Sequence, residues 1–208
     1  MIVDTNEQAL IDDILKLKSD IEADTKGILT AGDLKASLFD THLYQPVMHS
    51  SKGSKIQIAP ASLNESEFQF IEDLKEFLET NSIDSEVYLL RNESRGKGIG
   101  FFEAGNFYPD FLLWQVKDGK QCLAFIEPHG LQHGGPGHKK IEFHKTIKEI
   151  QERLKASGVV LNSYVVSTTR FAKLNWGLSI DELEDMNVLF MIDNKDAYVE
   201  NIMNGMLN

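Results

Sequence analysis

The sequence contains a single cysteine, Cys122, which excludes an internal disulfide bond and fits a reducing compartment. It has no apolar run near the roughly 20 residues that are needed to cross a bilayer. Its first residues, MIVDTNEQALIDD, have neither the basic nor the hydrophobic segment of a secretion signal. From these absences we expect a cytoplasmic protein that is not embedded in a membrane.

Basic residues are also scarce, since 21 Lys and Arg stand against 32 Asp and Glu and give a net charge of −11. This composition argues against a free-standing, high-affinity nucleic-acid binder, because such proteins usually display a basic surface. The charge is unevenly distributed along the chain. Residues 91–176 hold 13 Lys and Arg against 8 Asp and Glu, a net of +5, which leaves −16 for the remainder. The candidate chemistry lies in this one basic part of the chain. Imbalances of this size also arise by chance on solvated surfaces, so a functional basic region and a chance imbalance both stay open.

The chain of 208 residues is long enough for one main domain with a good hydrophobic core and a smaller additional part. Apolar residues at spacings of three and four predict an amphipathic helix over 5–25. Residues 27–63 show little periodicity and predict a loop-rich stretch with one short strand at 56–59. We therefore expect an N-terminal extension of helix and loops, residues 1–63, followed by the main domain, residues 64–208.

The main domain opens with a predicted helix from 64 to about 80, where Asn64 and Glu67 form the pattern of a capping box. Apolar runs and turn signals predict further elements in this order: a strand at 86–92, a long or bent strand at 99–116 that is broken near Gly105, a strand at 122–130, a helix from 139, a strand at 159–168, and lastly a strand at 187–193 and a helix at 197–207. The core order of helix, three strands, helix and strand indicates the α/β class.

Two of the predicted strands carry a carboxylate where an apolar residue is expected. NFYPDFLLW, 106–114, opens its strand on Asp110, and LAFIEPHG, 123–130, has Glu127 within an apolar run. A hairpin places the start of one strand near the end of its partner, so both side chains are expected to emerge at one point of the sheet. Two carboxylates in an apolar place repel each other, and a divalent cation such as Mg²⁺, which prefers oxygen ligands, relieves the repulsion. The pattern therefore predicts a metal site.

The order of elements, with YPD entering one strand and IEPH leaving the next, resembles the PD-(D/E)xK nuclease superfamily. More narrowly, LFDTHLYQP, LNESEFQFIEDL, LLRN and GFFEAGNFYPDFLLW are similar to the C-terminal endonuclease region of type III restriction and DEAD/DEAH-helicase-associated proteins. The resemblance covers roughly residues 37–200. It implies a restriction-endonuclease-like fold, an αβββαβ mixed sheet flanked by helices. It also implies a Mg²⁺-dependent endodeoxyribonuclease that hydrolyses phosphodiester bonds with Mg²⁺ or Mn²⁺.

The resemblance also implies a set of metal ligands. By this resemblance, Asp110 and Glu127 are expected to hold the metal, and the backbone carbonyl beside Pro128 is expected to be a further ligand. An additional Glu from the first core helix commonly joins them, and Glu67 is our choice because it lies on the apolar stripe of that helix. The capping-box pattern accounts for Glu67 equally well, so both roles stay open.

The sequence departs from the family at the lysine that positions or activates the attacking water, because Pro128 is followed by His129. A neutral imidazole accepts a proton and an imidazolium stabilises charge on phosphate, so His129 is the first candidate for this role. Superfamily members sometimes carry the lysine on the following helix. Lys140, on the stripe with Phe143 and Ile147, is therefore the second candidate.

The segment EPHGLQHGGPGH allows a different metal site, because zinc favours histidine and carboxylate ligands. Its four candidate ligands are Glu127, His129, His133 and His138. Their spacing matches no helix-borne pair. The glycines of this loop, followed by Lys139 and Lys140 at the start of a helix, are also suited to contact a phosphate group.

The chain carries no helicase motif and is acidic, so we expect it to be the nuclease end of a larger restriction or helicase–nuclease enzyme. In that arrangement an ATP-dependent helicase or translocase region supplies most of the affinity for DNA. The alternative is a catalytically inactive module, in which the nuclease fold remains as a scaffold or DNA-docking domain after the loss of its lysine.

Overall fold

The structure, a computed structural model, is described for residues 1–3, 6–43, 45–59, 62–93, 97–154, 158–195 and 197–207. It is a mixed α/β protein that divides into two compact units, Met1–Lys75 and Glu76–Asn208. Among the described residues, no helix has both the length and the apolar character needed to cross a membrane.

The boundary between the two units lies within a helix, α2 (Glu65–Thr80). The boundary predicted from the sequence lies earlier, between residues 63 and 64. The start of α2 contacts other parts of the first unit, since the ring of Phe68 lies 6.0 Å from that of His49. This packing explains why the first turns of the helix belong to the first unit.

The first unit contains, besides the start of α2, the following described elements: β1 (Ile2–Val3), α1 (Gln8–Glu22), β2 (Ile28–Ala31), β3 (Leu34–Ser37), β4 (Val47–Ser50) and β5 (Ile56–Gln57). Strands β2, β3 and β4 form an antiparallel sheet, and β1 pairs with β5. Helix α1 packs through Leu17 in a core that includes Leu29, Leu34 and Ile56. Burial of these side chains is the main stabilising contribution to the unit.

The predicted helix over 5–25 is confirmed as α1, although Thr5 lies outside the described residues. The prediction of a loop-rich stretch over 27–63 is wrong, because three of its segments form the β2–β3–β4 sheet. Each of these strands has only 4 residues, which is too short for alternation to stand out in the sequence. The strand predicted at 56–59 is present as the two residues of β5.

The second unit contains the end of α2 and these described elements: β6 (Glu86–Arg91), β7 (Phe111–Lys117), β8 (Lys120–His129), α3 (Lys139–Arg153), β9 (Val159–Ser167), a 3-10 helix (Phe171–Lys173), α4 (Ile180–Glu184), β10 (Val188–Phe190) and α5 (Tyr198–Met206). The strands form one sheet in the order β10-β9-β8-β7-β6. β6, β7 and β8 are antiparallel neighbours, whereas β8, β9 and β10 run parallel. The sheet is therefore mixed, with α3 as the crossover between β8 and β9.

Helix α3 covers one face of this sheet. Its residues Phe143 and Ile147 pack in a core with Leu112 of β7, Phe125 of β8 and Leu161 of β9. The rings of Phe125 and Phe143 meet edge to face with 6.0 Å between their centroids, a preferred aromatic arrangement. This core fixes the helix against the middle of the sheet.

The second strand of the unit begins at Phe111, and not at 99 as predicted. Residues 98–110 form a loop that is closed by a bridge between Phe101 and Phe107. Both rings pack against Phe143, with centroid distances of 4.6 and 4.9 Å. Tertiary packing of these aromatic side chains therefore outweighs their preference for a strand.

A two-residue turn joins β7 to β8 and sets their register. Asp118 and Gly119 have φ values of 51° and 76°, the left-handed conformation that a type I′ turn requires and that Asp-Gly adopts readily. In the resulting register Phe111 lies opposite Ile126.

Candidate active site

The two residues whose carboxylates are predicted to share a metal ion lie opposite each other. Phe111 pairs with Ile126, so the next step of the same antiparallel register brings Asp110, directly before β7, opposite Glu127 in β8. The backbone N–H of Asp110 donates a hydrogen bond of 3.1 Å to Oε2 of Glu127. The two residues thus meet at one point of the sheet, as the hairpin predicts.

A lysine from helix α3 joins this pair. Side chains alternate along β8, so Glu127 lies on the same face as Phe125, which is the face that α3 covers. In the first turn of α3, Nζ of Lys140 donates to Oε1 of Glu127 at 2.5 Å. Only 19% of the Lys140 side chain and 6% of the Glu127 side chain are exposed. The ion pair is therefore largely shielded from solvent.

His129, two residues after Glu127 on β8, contacts the same lysine. Its Nδ1 lies 3.2 Å from Nζ of Lys140. Because an ammonium group can only donate, Nδ1 accepts, and the proton of the neutral imidazole is then on Nε2. His129 therefore holds Lys140 through one ring nitrogen and has an N–H group on the other.

The start of α3 is fixed by its capping residue, His138. Nδ1 of His138 accepts a hydrogen bond of 3.3 Å from the backbone N–H of Lys140. The His138 ring also stacks against that of His129, with 6.1 Å between centroids. Next in the helix, Ile141 is buried in the core. These contacts hold the main chain from which the Lys140 side chain reaches Glu127.

Arg91 contacts Asp110 from the neighbouring strand β6. Its Nη1 donates to the backbone O of Asp110 at 2.7 Å and lies 3.2 Å from the carboxylate atom Oδ1. The same nitrogen donates to the backbone O of Asn92 at 2.9 Å. The guanidinium carbon lies 5.3 Å from the centre of the Phe111 ring, within cation–π distance. Arg91 was not predicted from the sequence, although it stands in LLRN, one of the phrases that carry the family resemblance.

Asn92 ties the loop before Asp110 to the end of β6. Its backbone N–H donates to the backbone O of Asp110 at 2.8 Å. Its side-chain Nδ2 donates to the backbone O of Pro109 and of Ile99, both at 2.8 Å, and its Oδ1 accepts from the N–H of Ile99 at 2.9 Å. Asn92 is 5% exposed, so these are buried hydrogen bonds. The main chain is therefore held on both sides of the turn that leads to Asp110.

The acidity of Glu127 reflects its surroundings. The pKa of its carboxyl group is raised to about 7, first by burial and second by the charge of Asp110. Lys140 and the N–H group of Asp110 lower this pKa, but they do not outweigh the other two causes. The two carboxylates therefore repel each other even with the lysine beside them.

Burial and neighbouring cations keep the nearby imidazoles uncharged. The pKa of His129 is lowered to about 4, by burial first and then by Lys140 and His138. The pKa of His138 is also lowered, by burial, Lys140 and Lys139. At neutral pH His129 is a neutral imidazole, which agrees with its acceptance of a hydrogen bond from Lys140.

Asp110 and Glu127 offer the ligands that a hard divalent cation prefers. Mg²⁺ is commonly held by one or two carboxylates together with water and a substrate phosphate. The charge of Asp110 raises the pKa of Glu127, which is the repulsion that a cation between the two would relieve. Pro128, whose carbonyl is the predicted third ligand, is buried in β8 between Glu127 and His129. The donor set therefore fits Mg²⁺ or Mn²⁺, with other ligands coming from water or substrate.

The zinc alternative lacks the required cluster. Within the part of the chain that the structure describes, no three or more His, Cys, Asp or Glu side chains are grouped to hold a metal ion. His133 is exposed, and both His129 and His138 contact Lys140. Glu127, His129, His133 and His138 are therefore not assembled as a zinc site.

Glu67, the predicted additional metal ligand, lies near the start of α2 in the first unit and is 4% exposed. Its Oε2 accepts a hydrogen bond of 2.9 Å from the backbone N–H of Asn64. In return, Oδ1 of Asn64 accepts one of 2.9 Å from the backbone N–H of Glu67. This reciprocal pair is the capping box expected from the sequence. The role of Glu67 as a metal ligand stays a prediction.

Comparison of the chain with protein-family models, curated proteins and solved structures gives no match. The resemblance to PD-(D/E)xK nucleases therefore stays a prediction, and function has to be inferred from the arrangement of side chains.

Proposed function

We propose that this chain is a metal-dependent endonuclease that hydrolyses phosphodiester bonds of DNA with Mg²⁺ or Mn²⁺. One observation carries the proposal: Asp110, directly before β7, lies opposite Glu127 of β8, and Nζ of Lys140 lies 2.5 Å from Oε1 of Glu127. Two carboxylates for a cation and a lysine beside them are a suitable set of groups for metal-assisted hydrolysis of a phosphodiester.

The order of secondary structure supports a restriction-endonuclease-like core, which we propose as the fold. Helix α2 is followed by the antiparallel strands β6, β7 and β8, by helix α3, and by β9, which runs parallel to β8. This order corresponds to the αβββαβ arrangement that the sequence resemblance implies. Asp110 and Glu127 lie at one end of the β7–β8 hairpin, where α3 begins.

Asp110 and Glu127 would hold the cation in this proposal, with the carbonyl of Pro128 as a further predicted ligand. When bound, the cation lowers the pKa of a coordinated water and offsets negative charge at the attacking and leaving oxygens. The backbone N–H of Asp110, 3.1 Å from Oε2 of Glu127, keeps the Glu127 carboxylate turned towards Asp110.

Lys140 is our candidate for the missing lysine, ahead of His129. Its ammonium group lies beside Glu127, where it can orient the attacking water and stabilise negative charge on the phosphate. His129 accepts a hydrogen bond from Lys140 and has a pKa of about 4, so it is not a cation at neutral pH. In this proposal His129 holds Lys140 and offers its Nε2–H to a substrate oxygen.

We further propose that most of the affinity for DNA comes from a partner, an ATP-dependent helicase or translocase region of a larger restriction or helicase–nuclease enzyme. The net charge of −11 opposes binding to a polyanion. The basic segment 91–176, which contains the candidate site, provides only a local attraction. The free and buried Cys122 fits a cytoplasmic location.

A nicking assay on supercoiled plasmid with Mg²⁺ or Mn²⁺ tests the nuclease proposal. We expect wild type to nick the plasmid, and Asp110→Asn and Glu127→Gln to lower the rate by about 100-fold or more. Asp118→Asn is a matched control, because it neutralises a carboxylate at the other end of the hairpin and Asn tolerates positive φ. Nicking that Asp110→Asn leaves unchanged would rule the proposal out, since the activity would then come from another site or another protein.

The presence of His129 at the position of the family lysine favours a second candidate function, a catalytically inactive module for DNA docking or scaffolding. Calorimetry with Mn²⁺ separates the two functions when it is combined with the nicking assay. Binding of Mn²⁺ together with nicking supports the enzyme. Binding of Mn²⁺ without nicking, at concentrations where the chain itself binds the plasmid, supports the module.

A further inference from the structure

Arg91 brings a permanent positive charge to the candidate metal site. A guanidinium group stays protonated throughout the physiological pH range. Its Nη1 lies 3.2 Å from Oδ1 of Asp110, and only 15% of the Arg91 side chain is exposed. Solvent therefore screens this charge poorly, and the charge acts directly on one of the two carboxylates proposed to hold the cation.

The main chain at Asp110 has partners of its own, besides Arg91. The backbone O of Asp110 accepts from the N–H of Asn92 at 2.8 Å, and its N–H donates to Glu127 at 3.1 Å. Asp110 is followed directly by β7, which pairs with β6 from Phe111 to Val116 and with β8 over its whole length. Neutralising Arg91 therefore changes the charge at the site while the backbone that carries Asp110 keeps these hydrogen bonds.

Each of the two carboxylates already has a positively charged partner. Arg91 forms an ion pair with Asp110, and Lys140 forms one with Glu127. A divalent cation that binds between the carboxylates meets both positive groups at short range, and like charges repel strongly where water is excluded. Arg91 and the cation thus compete for the same carboxylate.

We propose that Arg91 is the internal counter-ion of Asp110 and that it limits how tightly the site binds a divalent cation. This inference rests on the proposed metal-dependent function, since Asp110 must be a ligand for the competition to occur. Removal of the positive charge at position 91 then tightens cation binding and destabilises the protein in the absence of the cation.

The test measures binding of Mn²⁺ to the full chain without DNA, by electron paramagnetic resonance. Arg91→Gln carries no charge, and its amide nitrogen stands near the position of Nε and not of Nη1. We expect it to bind Mn²⁺ at least about fivefold more tightly than wild type. Arg91→Lys keeps the charge and should stay within about twofold of wild type. Arg153→Gln removes an equal charge from an exposed pair with Glu103 and is the control for net charge.

The outcomes separate this inference from the proposed function. Tighter binding by Arg91→Gln, including binding by this variant alone, supports the counter-ion role. Equal or weaker binding by folded Arg91→Gln, with wild type binding Mn²⁺, overturns the counter-ion role and leaves the metal site standing. If neither protein binds Mn²⁺, the inference and the metal site both fail. Binding without DNA cleavage contradicts only the proposed nuclease activity.

A second measurement decides the matter if Arg91→Gln does not fold. The guanidinium signals of Arg91 in wild type, assigned by comparison with Arg91→Lys, are followed by nuclear magnetic resonance during titration with Mg²⁺. A saturable shift of these signals at the concentrations where Mg²⁺ binds supports the competition. Signals that stay unchanged at saturation overturn it.

Discussion

Nζ of Lys140 lies 2.5 Å from Oε1 of Glu127, although one residue belongs to a helix and the other to the middle strand of a sheet. The buried carboxylate gains a charged hydrogen-bond partner, without which its burial would be costly. The contact also shows how a lysine outside the expected sequence position can reach the carboxylate. The loop after β8 turns back to the end of the strand, so the first turn of α3 places Lys140 beside Glu127.

Lys140→Met is expected to reduce DNA nicking by about 100-fold or more, because the ammonium group beside Glu127 is lost. Lys140→Arg should retain part of the activity, since it keeps the charge with a different geometry. The rate of plasmid nicking at saturating Mn²⁺ measures both effects. Lys145→Met is the control, because Lys145 lies exposed on the same helix in a surface pair with Glu142. Equal losses for Lys140→Met and Lys145→Met would contradict a specific role for Lys140.

Glu127 is expected to make the stability of the cation-free protein fall as the pH rises. The pKa of Glu127 is about 7 in the folded protein and 4.5 ordinarily, so the folded state binds the proton more tightly than the unfolded chain. The resulting stability is fully present below about pH 4.5 and is lost as the pH rises through 7. Glu127→Gln cannot ionise, so its stability relative to wild type should rise by on the order of 3 kcal/mol between pH 4.5 and 8.

Urea unfolding in a chelating buffer between pH 4.5 and 8 measures this difference. The free energy of unfolding of Glu127→Gln, relative to that of wild type, should rise steadily from pH 4.5 to pH 8. Glu142→Gln, a substitution of the same kind on the exposed side of α3, controls for the loss of one carboxylate. A difference between Glu127→Gln and wild type that does not change with pH would show that Glu127 titrates alike in the folded and unfolded states.

His129 is expected to have the opposite pH dependence. Its pKa is about 4 in the folded protein and 6.5 ordinarily, so the folded state binds this proton less tightly than the unfolded chain. The corresponding stability is present above pH 6.5 and is lost as the pH falls through 4. His129→Asn keeps an acceptor near the position of Nδ1 but does not titrate. It should therefore lose less stability between pH 6.5 and 4.5 than the protein with His129.

This comparison is best made in the Glu127→Gln background, because residue 127 then does not titrate and only His129 contributes to the difference. Unfolding in urea at a series of pH values gives the two slopes. His133→Asn, at an exposed position of the loop after β8, is the control. Parallel slopes with and without His129 would contradict the lowered pKa.

Asn92→Ala is expected to destabilise the protein by about 2–4 kcal/mol, because the carbonyl groups of Ile99 and Pro109 lose a buried donor. Chemical unfolding measures the loss, and faster hydrogen exchange at the N–H of Ile99 locates it. Asn175→Ala, at an exposed position, should stay within about 0.5 kcal/mol of wild type. A similar loss of stability in the two variants would show that Asn92 has no special structural role.

The long periodic elements were predictable from the sequence alone. α2 has 16 residues and α3 has 15, so each repeats its apolar stripe over several turns. Within β8, residues 122–126 likewise form a continuous apolar run, which ends at Glu127. The strands β2, β3 and β4 repeat their pattern only twice, and the loop 98–110 owes its shape to aromatic packing on Phe143. Neither these short strands nor this loop has a local sequence pattern strong enough to predict its structure.

The part of the site that one hairpin forms, Asp110 and Glu127, was predictable from the sequence. The pairing of Asp110 with Glu127 follows from two strands and a short turn. Arg91 lies 19 residues from Asp110 in sequence, and Lys140 lies 13 from Glu127, so their roles depend on the packing of other elements. Sequence adjacency favoured His129 as the basic group, whereas the start of α3 brings Lys140 nearest to Glu127.

Asp118 and Gly119 lie at the opposite end of the hairpin from the two carboxylates, yet they decide whether those carboxylates meet. One residue inserted into this turn and absorbed by a slip of β7 along β8 would bring Asp110 opposite Ile126 or Pro128, and Glu127 would lose its partner. An insertion or deletion in this exposed turn should therefore damage the site as much as replacing one of the two carboxylates does. Chains that share the PD and EPH segments but differ in the length of this turn should not be expected to share the chemistry.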